Sequence, residues 1–421
     1  MTLALSQVRW QVLGLLFLVT VINFVDRQSL SVVAPLLRDS LHLSNEDYGL
    51  IVACFSFGML SGEFPMGWLM DRKGARVGLS FAVIWWSIAN CMHAFGAAKL
   101  HFAALRYWLG TGECGNYSGG LKVISQWFPA KERAFAIGVF NGGSMIGSII
   151  ALPLVGWLTV EFGWPAAFLV PGSMGFVWVV AWWLLYRDPA EHPRITETER
   201  RYILEGREPQ EGAAPGSLEL LRHPQTWAVM ICRMLVGPVV QFYIFWMPEY
   251  LFRVRGMSLK SIAYSGWLPF LFGDIGSMAG GAAAGVLLAR GFSTARSRGL
   301  TMGFGALCCM ASIGVVLAPS APMAITWICF VLFGHTFLSA NMFAVISDLF
   351  PRSAVGRVTA LTGIAQGITG MIFQYATGAV VDRYSFVPVF ALAALTPAVG
   401  CLLLFIMSRG LQPIRTEPLS G

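Results

Sequence analysis

Charge is what this sequence holds least of: Asp, Glu, Lys and Arg make up 12% of its 421 residues, while 56% are hydrophobic. Soluble globular chains carry about 25% charged residues, so an ordinary water-soluble domain is excluded. Catalytic signatures are missing as well. The six histidines form no HExxH pair and no GxSxG elbow occurs, which removes the common zinc-protease and serine-hydrolase designs. No CxxC spacing occurs, and the eight cysteines all fall inside apolar segments, where they read as small packing residues. No A-x-A-like cleavage site interrupts the first apolar run, which continues from Trp10 past Asn23 and is expected to stay as a span. A membrane sensor is expected to add a long soluble tail, and the tails of this sequence are short. The formal charge of +7 calls for no nucleic acid, because most basic residues sit in short loops between apolar runs.

What the chain does hold is a series of apolar runs long enough to cross a bilayer. They predict an all-α membrane protein of twelve transmembrane helices in two six-helix bundles, residues 1–186 and 226–421, joined by a cytoplasmic linker over 187–225. The linker is expected to form a short amphipathic helix near Thr196–Gly206 and then a GAAPG stretch, Gly212–Gly216. Arg72, Lys73, Arg76, Lys131, Arg133, Arg290, Arg296, Arg298, Arg352 and Arg357 mark one set of loops as cytoplasmic, which puts both termini there too and suits a plasma-membrane protein. Arg253, Arg255 and Lys260 break that rule in loop 7–8, either as an anion attractor or as a solvated loop.

Two stretches carry charge into the membrane. Leu105–Lys122 holds Arg106 and Glu113 seven positions apart, so both leave one helix face about 10.5 Å apart along the axis. Gly110, Gly112, Gly115, Gly119 and Gly120 lie among them and allow close approach of neighbouring helices. The first span carries Asn23, Asp26 and Arg27; Asn23 and Arg27 share a face, and Asp26 points about 100° away from Arg27. Ionisable groups at this depth usually mark a substrate or proton path. A buried structural ion pair is the alternative for Arg106 and Glu113, and structural pairing is the expectation for the lone Glu63. Asn141 and Ser144 in span five present either ligand hydrogen bonds or small packing residues. In the second half, Gln241 and Tyr243 follow Pro238 on a weakened helix that suits a gate over a polar cavity. His335, Ser339 and Asn341 lie on span ten, His335 and Ser339 on one face, either hydroxyl-binding or satisfied in the core.

The stretch GWLMDRKGAR (Gly67–Arg76) resembles the loop 2–3 signature of the major facilitator superfamily. With Asp26-Arg27, Arg106…Glu113, WFPAKER (Trp127–Arg133) and GHTFLSAN…SDLFP (Gly334–Pro351), the chain is similar over nearly its whole length to the superfamily's anion:cation symporter family, most of all the bacterial hexuronate-transporter branch. The resemblance implies that Arg27 grips the substrate carboxylate and that Asp26 and Glu113 carry protons. It implies that Arg106 pairs with an acid across the bundle, and that Asn141, Ser144, Ser339 and Asn341 meet substrate hydroxyls. Asp71 and Arg72 would form a cytoplasmic latch. The branch typically carries Asp-Pro and Trp on helix 7, where this chain has Gly237-Pro238 and Val240-Gln241.

The functional expectation is a proton-coupled importer of a small organic anion, most simply a hexuronate such as glucuronate or galacturonate; another carboxylate, such as an aldonate or aromatic acid, is the alternative. Protons are the coupling ion, with no metal or other cofactor and no enzymatic reaction. The expected partners are the substrate and membrane lipid, around a monomer. Efflux fits poorly, because efflux pumps favour apolar cavities and two arginines stand at membrane depth.

Overall fold

A computed structural model describes residues 8–205 and 216–414, which are helical nearly throughout, with no strand among them. In order the helices are α1 (Val8–Leu41), α2 (Asn45–Met92), α3 (Lys99–Trp127), α4 (Ala130–Phe162), α5 (Ala166–Leu185), α6 (Glu197–Glu205), α7 (Ser217–Leu220), α8 (Pro224–Arg253), α9 (Leu259–Ser265), α10 (Leu268–Ala289), α11 (Thr294–Cys309), α12 (Ser312–Leu317), α13 (Ala321–Leu349), α14 (Arg352–Arg383) and α15 (Val387–Met407). Among the described residues nine segments are long and apolar enough to cross a membrane, and dividing α2 at Gly74 and adding α3 and α14 gives the twelve of the expected fold. Gly74, at φ 79° and ψ 163°, folds α2 into the second and third crossings, a backbone geometry that favours glycine. The segments α9–α10 and α11–α12 supply the eighth and ninth.

The expected 2–3 loop is therefore not a loop in outline: helix runs to its very corner at Gly74. The eighth span breaks instead, between α9 and α10, where Pro269 has no N–H to give to the preceding turn. Linker helix α6 forms where an amphipathic helix was expected, and residues 212–215 of the GAAPG stretch lie outside the described residues.

By packing, the chain divides into two units. The first comprises the described residues of Met1–Gln210 together with Ser258–Trp267, and the second those of Glu211–Met257 and Leu268–Gly421. In the first unit α3 lies against both arms of α2. A methyl at Gly110 would stand 2.4 Å from the Phe55 carbonyl oxygen, and one at Gly112 2.9 Å from the Trp85 ring. Only a glycine-rich face reaches that closeness. Trp86, Trp127 and Trp182 fill the core. Arg9 anchors α6 to α1 and α4: its guanidinium meets the buried Glu199 at 3.0 Å and Glu132 at 3.3 Å, and Tyr202 donates to Glu132 at 2.7 Å.

The second unit is built around α8, whose Val229, Cys232 and Val236 pack in one core with Leu338 and Met342 of α13 and Leu404 of α15. Arg253 is held by Glu249 at 3.2 Å. Arg255 donates to the carbonyls of Val315, Val316 and Ala318. It closes the end of α12, where helix carbonyls lack partners.

Candidate functional site

Within the first unit, Arg27 of α1 meets Glu113 and Arg106 of α3. Arg27 donates from Nε to Glu113 Oε2 at 2.9 Å and from Nη2 to Asn23 Oδ1 at 3.1 Å. The second bond is the one that four-residue spacing allows on a helix. The rings of Phe24 and Phe55 lie 4.4 and 5.4 Å from the guanidinium carbon and wall the pair on its apolar side. Glu113 is wholly buried and the Arg27 side chain is 17% exposed. Such a pair is held by geometry and by its extra hydrogen bond, because desolvation cancels much of its Coulomb gain.

Arg106 is buried beside them and donates from Nη1 to the Arg27 carbonyl at 3.1 Å. It makes no ion pair within 4 Å among the described residues; the acid on its own helix, Glu113, goes to Arg27. Asp26 points about 100° round α1 from Arg27, as adjacency requires. Its Oδ1 accepts from Asn90 Nδ2 at 2.6 Å, and Asn90 also donates to the Phe168 carbonyl at 3.3 Å. Thus Asp26 meets an amide and Glu113 a guanidinium, two different settings for two buried carboxylates.

Asn141 is exposed on α4 with its amide making no hydrogen bond among the described residues. Ser144 donates to the Asn141 carbonyl at 2.6 Å, and its neighbours Gly143 and Gly147 press against the α1 backbone, so this stretch serves packing as well. Glu63 is exposed and has no ion pair within 4 Å among the described residues, unlike the structural pairing expected of it. At the Gly74 corner Asp71 accepts from Lys122 Nζ at 2.8 Å, and Arg72 lies over the Trp68 ring at 5.3 Å.

In the second unit Gln241 of α8 fits a notch on α14: a methyl at Gly370 would lie 2.4 Å from its Oε1, which has no hydrogen-bond partner. Gln366 of α14 fills the matching notch at Gly237. His335 is buried with Nε2 on the Val236 carbonyl at 3.0 Å; Ser339, one turn on, is half-buried and makes no side-chain hydrogen bond among the described residues. Two other expected groups are committed inside the bundle. The Tyr243 hydroxyl meets Ser312 Oγ at 2.8 Å. Asn341 accepts from Arg298 at 3.0 Å and donates to the Gly280 and Phe337 carbonyls, while Arg298 pairs with Asp348 at 2.9 Å.

Sequence reasoning missed Asn90, Lys122 and Gln366. Lys122, a lone cation near the end of α3, had a signal in its charge. The two amides had none, since nothing in a neutral side chain on an apolar helix tells which neighbour it faces.

The chain as a whole is similar to known proteins. A 403-residue match at 32% identity, covering 94% of this chain and 93% of the relative, joins it to the hexuronate transporter of Escherichia coli (strain K12). The galacturonate transporter of Dickeya chrysanthemi is 34% identical over 277 residues, 65% of this chain and 80% of the relative. The probable galactarate/D-glucarate transporter of Bacillus subtilis (strain 168) is 30% identical over 93% of this chain and 91% of its own. Among solved structures, a bacterial homologue of the human lysosomal transporter Spinster, inward-facing and unoccupied, superposes with a TM-score of 0.73 at 20% identity over 97% of each chain. A D-xylose–proton symporter gives 0.74 at 13% identity over 94% of this chain and 97% of its own. At those identities the two structures speak for the fold alone. With the Major Facilitator Superfamily model matched over residues 16–373 as well, this chain belongs to that superfamily, a multi-pass membrane transporter and not an enzyme.

Proposed function

We propose that this protein is a proton-coupled symporter that imports a small sugar acid, most simply glucuronate or galacturonate, across the cell membrane by alternating access. The observation that carries the reading is the 2.9 Å pair between Arg27 and the buried Glu113. A carboxylate already holds the guanidinium in the geometry that a substrate carboxylate needs. Protonation of Glu113 releases Arg27 to the substrate, and Arg106 keeps Arg27 in place through its backbone carbonyl. Asp26, held by Asn90, is the second proton carrier. Asn141 in the first unit, and Gln241 and Ser339 in the second, keep side chains free to hydrogen-bond hydroxyls, and Asp71 and Arg72 form the latch at the cytoplasmic corner. The protein works as a monomer in lipid, with protons in place of any other cofactor and both termini cytoplasmic.

The energetics favour coupling. An anion entering alone works against an inside-negative potential at about 2.3 kcal/mol per charge per 100 mV. One accompanying proton cancels that work, and a second makes import electrogenic. The names of the Escherichia coli and Dickeya relatives support a hexuronate. The Bacillus relative, named for a dicarboxylic sugar acid at 30% identity, favours another carboxylate as the second reading.

Uptake of labelled glucuronate and galacturonate into proteoliposomes, with and without an inward proton gradient, tests the proposal. Gradient-driven accumulation that is lost in Arg27→Ala supports it. Competition by aldonates and aldarates but not by hexuronates would move the substrate to the second reading. No accumulation of any sugar acid by folded protein would reject both.

A further inference from the structure

One cleft of the first unit lies apart from all the groups above. Helices α4 and α9 touch where a methyl at Gly156 would come within 2.5 Å of the Ala263 Cβ. Beside that contact they leave a cleft of about 400 Å³. Its walls are Trp157 and Val160 of α4, and Tyr264 and Trp267 beyond or at the end of α9. The Trp267 indole N–H is already spent on the Tyr264 carbonyl at 2.8 Å, so that residue adds little polar character. Trp157 is 53% and Tyr264 85% exposed, far more than core packing would leave them.

Two charges flank the same cleft. Glu161 stands one residue from the C-terminal end of α4, and Lys260 in the first turn of α9, so both mark its water-side end. Neither makes an ion pair within 4 Å among the described residues. The apolar walls run about 10–12 Å deeper along the two helices. A cation and an anion at the mouth of an aromatic cleft, at the level where Trp and Tyr favour the membrane–water boundary, match one kind of molecule. That molecule has a phosphate, an ammonium group and an acyl chain. A sugar acid fits poorly, because the walls offer its hydroxyls few partners and Glu161 faces its carboxylate.

We propose that this cleft binds a phospholipid whose head group carries a primary ammonium, with its phosphate on Lys260, its ammonium on Glu161 and an acyl chain along Trp157 and Tyr264. The site is independent of the transport reading. Native mass spectrometry of the purified full chain, offered equal amounts of phosphatidylethanolamine, phosphatidylcholine and phosphatidylglycerol, tests it. Phosphatidylethanolamine is expected to be retained preferentially. Lys260→Gln and Glu161→Gln are each expected to weaken its retention about fivefold. The exchanged double variant, Lys260→Glu with Glu161→Lys, keeps both charges at the mouth and is expected to recover most of it. Thermal unfolding of each variant guards against misfolding, since both side chains are exposed. Equal retention of the three lipids, or retention indifferent to both variants, overturns the proposal. So does a phosphatidylglycerol preference that only Lys260→Gln removes, or displacement of the lipid by glucuronate.

Discussion

Arg27 spends two of its donors on Glu113 and Asn23, which fixes the plane of the guanidinium as well as its position. Replacement by Lys keeps the charge but loses that planar fork. Arg27→Lys is therefore expected to raise the KM for sugar-acid uptake about tenfold or more, measured as initial rates in proteoliposomes. Asn23→Ala removes one orienting bond, worth about 1 kcal/mol, and is expected to raise KM about fivefold with a slightly lower Tm. The pairing of Asn23 with Arg27 was legible in the sequence, because four-residue spacing fixes a shared helix face. The choice of partner for Arg106 was not. Glu113 lies two turns along the same helix from Arg106, yet it reaches across to α1, and tertiary packing alone decides that. Tyr243 and Asn341 show the same gap: their polarity drew them into the expected site, while the structure turns their polar atoms to Ser312, Arg298 and backbone carbonyls.

At the scale of elements, two features carry weight in the first unit. The glycine face of α3 is one. Gly110→Ala puts a methyl 2.4 Å from the Phe55 carbonyl oxygen and is expected to destabilise the protein by about 1–3 kcal/mol, read as a lower Tm in detergent. Gly138→Ala on α4 meets no atom within 4 Å and is expected to leave Tm unchanged or raise it, since alanine is the better helix former. The docking of α6 is the other. Glu199→Gln leaves Arg9 with Glu132 alone, and hydrogen exchange at residues 197–205 is expected to quicken about tenfold. Unchanged exchange there would mean that apolar contacts such as the buried Ile203 hold the helix by themselves. The glycine run announced close helix contact in advance. The Arg9 anchor did not, because its three charges lie far apart in the chain and look like ordinary loop charges.

For the whole molecule, most of the crossings could be read from apolar run length, which depends only on local composition; α3 and α14 are less apolar and rest on the pattern of the whole chain. The grouping of Ser258–Trp267 with the first unit could not, because it depends on the contact between Gly156 and Ala263. The central claim is that Glu113 and the substrate carboxylate compete for Arg27, and that a proton on Glu113 decides between them. Glu113→Gln imitates the protonated state permanently. It separates two readouts on the same proteoliposomes: exchange of labelled for unlabelled glucuronate at equal pH, and accumulation driven by a proton gradient. Exchange that persists while accumulation disappears is the predicted result. Accumulation by Glu113→Gln at the wild-type level would contradict the account.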